Sequence, residues 1–122
     1  MAKTIRLLNT TQKTKLVSGL KVCRSTASQA LGLMFSKPIK DEGLLMVFGS
    51  EQIVSLHMLF VFFPIDVLFV DRSKRVVEIV EGAKPFVSYI TPSAKALYVI
   101  ELPADTVRKS RTKLGDRLEF KA

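Results

Sequence analysis

Short runs of apolar residues separated by polar turns occupy most of this chain and predict a fold made mainly of β-strands. Two segments near the N-terminus, residues 4–9 and 14–22, alternate loosely between apolar and polar positions, and Gly19 predicts a bulge or bend in the second. Further runs follow at residues 44–48, 56–63, 66–70, 76–80, 97–102 and 117–120. The first three of these runs, rich in Val and Phe and bounded by Gly or Pro, are typical of strands covered on both faces.

The connections between these runs predict one hairpin and two short helices. Residues 66–70 and 76–80 are predicted to pair through the turn between them. Thr26 and Gln29 have the spacing of a capping box, so a helix is expected to start there and to end near Gly32.

Pro103 is suited to the first turn of a second helix, expected near residues 104–110. Strands and helices do not alternate regularly along the chain, so a doubly wound parallel sheet is not expected. The economical arrangement is a single mainly β domain over residues 1–122, either an antiparallel twisted sheet or a small β-barrel of about seven strands with two short helices.

Composition supports a folded, soluble chain. Apolar residues make up 48% of the 122 residues and the mean hydropathy is +0.24, which excludes a disordered tail. The longest uncharged part of the most apolar stretch, residues 52–65, has 14 residues, short of the roughly 20 that a membrane helix needs. The N-terminus lacks the apolar region of a secretory signal, so we expect a cytoplasmic protein without membrane contact, a monomer or weak dimer. The low total of four Asn and Gln residues is typical of a thermophile.

Several short segments of the chain, taken together, form a recognisable pattern. They are residues 32–35 (Gly-Leu-Met-Phe), 41–48, 64–71, 76–79 with Lys84 and Pro85, and 98–104 with 115–118. In this order and spacing they resemble the domain of unknown function 192 family, from about residue 20 to the end of the chain. The resemblance implies a small, mostly β domain that occurs in bacteria and archaea, and it implies no established activity.

Two departures from the family pattern carry information. Many bacterial relatives have Trp-Met-Lys-Asn-Thr where this chain has an apolar segment from His57 to Val61, which resembles the archaeal branch. The hairpin after Asp71 usually contains Gly where Lys74 stands. A left-handed backbone there would cost Lys about 1 kcal/mol more than Gly, so a different turn type is expected.

Two carboxylates lie within apolar strands, where burying a charge is costly unless it is paired or hydrogen-bonded. Asp66 is expected either to accept hydrogen bonds from backbone amides at the Pro64 bend, to pair with an arginine, or to act as a general acid or base. The same alternatives apply to Glu101. If both faced one cavity with His57, the three would form a candidate pocket suited to a hydrolase or lyase.

The remaining chemistry-bearing residues support no catalytic or metal site. His57 lies among apolar neighbours and is interpreted as a core or pocket-edge residue, and Cys23 as an inert thiol. One Cys and one His exclude an intramolecular disulfide and a Cys-rich metal centre. The glycines form no phosphate-binding loop, and no nucleophile elbow occurs. No cofactor, metal or catalytic residue is therefore assigned. A non-enzymatic protein is the leading expectation, and a small hydrolase or lyase that uses Asp66, Glu101 and His57 is the alternative.

Positive charge is concentrated at the N-terminus. Residues 1–30 hold six Lys or Arg and no acid, out of a net charge of +8. The candidate anion-binding residues are Lys3, Lys13, Lys15, Lys21 and Arg24. The alternative is a solubilising face, and the basic run at residues 108–113 is interpreted as a solvated helix end. The leading hypothesis is a non-enzymatic binding or accessory module with a basic face for an anionic or macromolecular partner, either nucleic acid or protein.

Overall fold

The computed structural model describes residues 4–24, 40–55, 63–84 and 90–121, and within them the chain is mainly β, as predicted. The elements are β1 (Thr4–Asn9), β2 (Thr14–Cys23), β3 (Glu42–Gln52), β4 (Ile65–Val70), β5 (Val76–Ala83), β6 (Ala96–Pro103), α1 (Thr106–Ser110) and β7 (Leu118–Glu119). The first predicted helix and residues 56–62 of a predicted strand lie outside the described residues.

The strands form one mixed sheet in the order β5-β4-β6-β3-β2-β1-β7. Every neighbouring pair is antiparallel except β2 and β3, which run parallel from the pairing of Gly19 with Glu42 to that of Cys23 with Met46. A parallel pair cannot be joined by a tight turn. Residues 24–41 connect β2 to β3 and provide the long connection that this arrangement needs. The sheet is therefore not wholly antiparallel.

The sheet curls until its two edge strands meet at one end. Arg75, just before β5, forms a bridge with Arg117, just before β7. The Val76 N–H donates to the Asp116 carbonyl at 2.9 Å, and the Leu118 N–H donates to the Lys74 carbonyl at 2.8 Å. These bonds give the sheet the shape of a half-barrel and satisfy part of an edge that would otherwise be open.

Two apolar clusters cover the two faces of the sheet. One contains Leu68, Ile100 and Leu102 and extends to Val107 of α1. The other contains Val67 and Val99. Because successive strand residues point to opposite faces, central strands that are covered on both sides are apolar throughout. All six residues of β4 are buried, as the run at residues 66–70 predicted.

The predicted bulge near Gly19 is confirmed. Ile5 pairs with Leu20 and Leu7 with Val17, so β2 has one more residue than β1 across this interval. A second register shift follows, because Leu7 pairs with Val17 and Leu8 with Lys15, and there Leu16 and Val17 are both buried although they are adjacent.

The predicted start of the second helix is wrong. Pro103 is the last residue of β6, and α1 begins at Thr106 after Asp105, whose φ of 73° is left-handed. Proline suits the end of the strand equally well because its fixed φ is compatible with extended backbone.

Across the described ranges, the structure contains no helix long and apolar enough to cross a membrane.

The hairpin turn at Lys74 keeps a left-handed backbone, contrary to expectation. Lys74 has a φ of 64°, and its Nζ donates to the Phe120 carbonyl at 2.6 Å and lies 4.6 Å from the Phe120 ring centroid. These contacts offset the steric penalty that a side chain brings to this conformation. The lysine therefore joins the β4–β5 hairpin to the C-terminal segment.

Candidate functional site

Asp66 is 1% exposed and hydrogen-bonds two backbone amides that are distant in sequence. Its Oδ1 accepts the N–H of Gly82 at 2.9 Å, and its Oδ2 accepts the N–H of Val107 at 2.9 Å. Neither amide belongs to the Pro64 bend. Gly82 has a φ of 61°, which favours glycine, and lies where the register of β5 against β4 shifts. Asp66 therefore holds a bulge of β5 and the first turn of α1 against β4.

Glu101 lies on β6 between Leu44 of β3 and Val67 of β4. Glu101 is 9% exposed, and burial raises the pKa of its carboxyl to about 7. Among the residues that the structure describes, none forms a hydrogen bond with this carboxyl. A carboxyl in these surroundings can carry a proton at neutral pH.

The register of β4 and β6 separates the two buried carboxylates. Val67 pairs with Glu101, and Asp66 pairs with Leu102, so the two acidic side chains point to opposite faces of the sheet. Asp66 shares its face with Leu68 and the α1 contact, whereas Glu101 shares the face of Val67. The structure does not bring them into one cavity, and His57, the third candidate, lies outside the described residues.

A groove lined by three lysines lies between β2, the start of β3 and α1. The groove has a volume of about 320 Å³. It is lined by Lys15, Leu16, Val17, Lys40, Asp41, Pro103, Ala104, Thr106, Lys109 and Ser110. We refer to it as the lysine groove. Its lysines and Asp41 are exposed, whereas Leu16, Val17, Thr106 and Ser110 are buried, so the groove has a charged rim and a floor that contains both apolar and hydroxyl residues.

Hydrogen bonds fix the walls of the lysine groove against each other. The Thr14 hydroxyl donates to the Ser110 carbonyl at 2.8 Å, which joins the start of β2 to the end of α1. The Thr106 hydroxyl donates to the Pro103 carbonyl at 2.6 Å and holds the first turn of α1 against the end of β6. Asp66, through Val107, anchors the same helix from below. The position of Lys109 on this helix is therefore set by three separate anchors.

Ser18 lies between the Lys15 ammonium and the Asp41 carboxylate. Lys15 Nζ donates to Ser18 Oγ at 2.7 Å, and the Ser18 N–H donates to Asp41 Oδ1 at 3.1 Å. Hydrogen bonds from the Ser18 hydroxyl and amide, with a smaller effect of the Lys15 charge, lower the pKa of Asp41. Asp41 is therefore ionised at neutral pH. Its negative charge lies near Lys15, one of the basic residues in the segment 1–30.

Of the predicted anion-binding residues that the structure describes, Lys15 alone lines the lysine groove. Lys13 and Lys15 line an adjacent cleft of about 430 Å³, next to Asn9 and Thr14. Lys21 is exposed further along β2 and Arg24 is exposed directly after it, and Lys3 lies outside the described residues.

Sequence reasoning missed Lys40 and Lys109. Lys40 immediately precedes Asp41 and Glu42, and Lys109 belongs to the basic run at residues 108–113, whose pattern indicates a solvated helix end. Their convergence with Lys15 depends on the parallel pairing of β2 with β3 and on the docking of α1 against β2. Within the described ranges, no group of three His, Cys, Asp or Glu side chains is arranged to hold a metal ion.

Comparison with known sequences identifies relatives over nearly the whole chain. The model of the DUF192 family, described as "Uncharacterized ACR", matches residues 7–120. A UPF0127 protein from Pyrococcus horikoshii is 34% identical over 101 residues, which are 83% of this chain and 86% of that protein. A UPF0127 protein from Pyrococcus furiosus is 30% identical over 114 residues, 93% of this chain and 97% of that protein.

Solved structures share the fold. A protein of unknown function from Novosphingobium aromaticivorans superposes with a TM-score of 0.85 at 24% identity, over 97% of this chain and 84% of that chain. A candidate transcription regulator from Sinorhizobium meliloti superposes with a TM-score of 0.83 at 26% identity, over 98% of this chain and 94% of that chain. The curled sheet thus occurs in bacterial proteins as well as in this chain.

Proposed function

The chain belongs to the DUF192 family, and we propose that it is a non-enzymatic binding module that holds an anionic ligand in the lysine groove. The observation that carries this proposal is the convergence of Lys15, Lys40 and Lys109 on one groove. They come from a strand, from the residue that precedes Asp41 and from a helix.

Electrostatics gives this convergence a function. Ammonium groups that line one groove repel one another, and an anion placed among them relieves that repulsion. The groove also has low-dielectric walls, because Leu16 and Val17 are buried beneath its rim. Apolar walls focus the field of the surrounding charges and raise the local concentration of a counter-ion.

The dimensions of the lysine groove favour a small organic anion. A volume of about 320 Å³ lies at the small end of the range typical of ligand pockets. A surface that follows a nucleic-acid backbone would need a longer array of cations, usually with aromatic side chains for stacking. The rim instead contains Asp41, which would repel a second phosphate.

The proposal is tested by titration calorimetry at low ionic strength, with inorganic phosphate and propyl phosphate as ligands. Lys15→Gln and Lys109→Gln should each weaken binding by roughly two- to tenfold, because each removes one charge that faces the anion. Lys84→Gln is the matched control, since Lys84 is exposed and does not line the groove. Absence of binding by the wild type, or an equal loss in the control, would overturn the proposal.

Nucleic acid is the competing partner, and the description of the Sinorhizobium meliloti protein as a candidate transcription regulator gives a reason to test it. Filter binding of RNA and DNA across a salt series distinguishes the two. Nanomolar binding with a steep salt dependence would replace the small anion by a polyanion. Weak binding that disappears at physiological salt is the result we expect.

The alternative, a hydrolase or lyase, needs the carboxylates of Asp66 and Glu101 to act together. These two residues lie on opposite faces of the sheet. An enzyme of that kind would have to rest on Glu101 without Asp66.

A further inference from the structure

Asp41 places one fixed negative charge on the rim of the lysine groove. Its Oδ1 accepts the Ser18 N–H at 3.1 Å, and its carbonyl accepts the Gly19 N–H at 3.4 Å. Parallel pairing of β2 with β3 begins with Gly19 and Glu42, directly after Asp41. The carboxylate is therefore attached to the sheet at both its side chain and its backbone.

The backbone conformation of Asp41 favours the residue types Asp and Asn. Its φ of 55° is left-handed, a conformation that these two side chains adopt more readily than other non-glycine residues. An Asp41→Asn variant can therefore keep the backbone and the acceptor for Ser18 while it removes the charge. This makes the role of the charge separable from the role of the fold.

The charged residues of the lysine groove are unequal in number. Its lining includes three lysines and one aspartate. A phosphomonoester carries a charge close to −2 at neutral pH, which suits the lysines. A purely anionic ligand would be repelled by Asp41, whereas an ammonium or other donor on the ligand would be attracted to it. The carboxylate would thus discriminate between anions that have the same phosphate group.

The apolar residues of the lysine groove limit what can connect the two ends of such a ligand. Leu16, Val17 and Pro103 line the groove together with the charged residues. A short carbon chain can lie on these residues without leaving polar groups unpaired.

Resting on the proposed anion-binding function, we propose that the lysine groove selects small zwitterionic phosphomonoesters, which carry an ammonium group a few bonds from the phosphate. Lys15, Lys40 and Lys109 hold the phosphate, and Asp41 receives the ammonium. Asp41 is a specificity-determining residue, and it reduces the affinity for anions that lack a donor.

The test compares O-phosphoethanolamine with propyl phosphate, which has a methyl group in place of the ammonium. Titration calorimetry of the wild type should give tighter binding of O-phosphoethanolamine by roughly two- to fivefold, the range expected of an exposed ion pair. In Asp41→Asn this preference should disappear, and propyl phosphate should bind more tightly than it does to the wild type.

Glu51→Gln is the matched control, because it makes the same change in net charge at the opposite end of β3. It should leave the preference unchanged, and thermal unfolding should show that Asp41→Asn remains folded. Equal affinities for the two ligands in the wild type, or the same preference in wild type and Asp41→Asn, would overturn the role of Asp41 while anion binding stands. If neither ligand nor inorganic phosphate binds, the proposed function itself fails.

Discussion

The carboxylate of Asp66 accepts the N–H of Val107 at 2.9 Å and takes the place of an N-cap side chain for α1. The residue at the N-cap position, Asp105, is left-handed and forms no capping hydrogen bond with its side chain. The first turn of a helix leaves backbone donors without intrahelical partners, and a capping side chain normally satisfies one of them. Here a residue of β4 does so from 41 positions away.

Asp66→Asn should destabilise the protein by about 2 kcal/mol. The amide that replaces one carboxylate oxygen would face the N–H of Gly82 or of Val107, and a buried donor would lose its acceptor. Chemical denaturation measures this change. Asp105→Asn is the control, because the Asp105–Arg108 ion pair is exposed, and its loss should change the free energy of unfolding by less than about 0.5 kcal/mol. Equal effects of the two substitutions would contradict the capping role.

The buried carboxyl of Glu101 should make the protein less stable as the pH rises. Burial raises its pKa from 4.5 to about 7, so between these values the unfolded chain loses the proton before the folded chain does. The free energy of unfolding therefore falls as the pH rises from 4.5 to 7. Above pH 7 the decrease is complete and amounts to about 3 kcal/mol. Below about pH 4.5 both states are protonated and this contribution vanishes.

Glu101→Gln removes this titration and isolates it from that of other groups, including His57. The difference in unfolding free energy between wild type and Glu101→Gln should change by about 2 to 3 kcal/mol between pH 5 and pH 8. The variant should be the more stable of the two at pH 8. A difference that stays constant over this range would show that Glu101 does not titrate there.

Gly43 marks a close approach between strands. A Cβ at this position would lie 2.8 Å from the Glu101 carbonyl oxygen and 2.9 Å from Leu102 Cδ2. Gly43→Ala should therefore destabilise the protein by about 1 to 3 kcal/mol, the usual effect of overpacking. A Cβ at Gly49, on the same strand, would meet nothing within 4 Å, so Gly49→Ala should be neutral or slightly stabilising. Thermal unfolding of both variants tests the pair, and a Gly43→Ala protein as stable as wild type would contradict the register of β3 and β6.

A buried polar network holds the C-terminal segment to β1. Asn9 Nδ2 donates to Asp116 Oδ2 and to Thr112 Oγ1, both at 3.0 Å. Burial would raise the pKa of Asp116, but hydrogen bonds from Asn9, Lys113 and Gln12 lower it below its ordinary value of 3.8. A depressed carboxyl pKa stabilises the folded state above pH 3.8, and this stabilisation is lost as the pH falls through the folded pKa.

Asn9→Ala should raise the pKa of Asp116 and lower the free energy of unfolding at neutral pH by about 2 kcal/mol. Carbon-detected NMR titration of the Asp116 carboxyl measures the first effect, and denaturation the second. Gln12→Ala removes one bond to the same oxygen from a half-buried residue and should have a smaller effect on both. An unchanged pKa in Asn9→Ala would show that the network does not control this carboxylate.

Local sequence patterns predicted the strands because burial of a strand face depends on residues two apart. β1 and β4 were placed within one residue of their observed bounds, and the bulge at Gly19 followed from the properties of glycine. A carboxylate in an apolar strand predicts hydrogen-bond donors around Asp66. Sequence does not predict which donors, since Gly82 and Val107 are 16 and 41 positions away.

The lysine groove was not predictable for the same physical reason. Lys15 and Lys109 lie at opposite ends of the sequence, and only the curl of the sheet and the docking of α1 bring them to one groove. The parallel pairing of β2 and β3 brings in Lys40 and Asp41, and no local pattern encodes that pairing. The sequence shows the excess of positive charge directly. The position of Asp41 beside these positive charges follows only from the pairing register of β2 and β3.

An NMR titration of the ¹⁵N-labelled protein with inorganic phosphate at low ionic strength tests anion binding in the lysine groove most directly. Saturable chemical-shift changes are expected at the amides of residues 15–17, 40–41, 106 and 109–110, which line the groove. Shifts that are absent at millimolar phosphate, or that concentrate on amides remote from these residues, would show that the groove does not bind the anion.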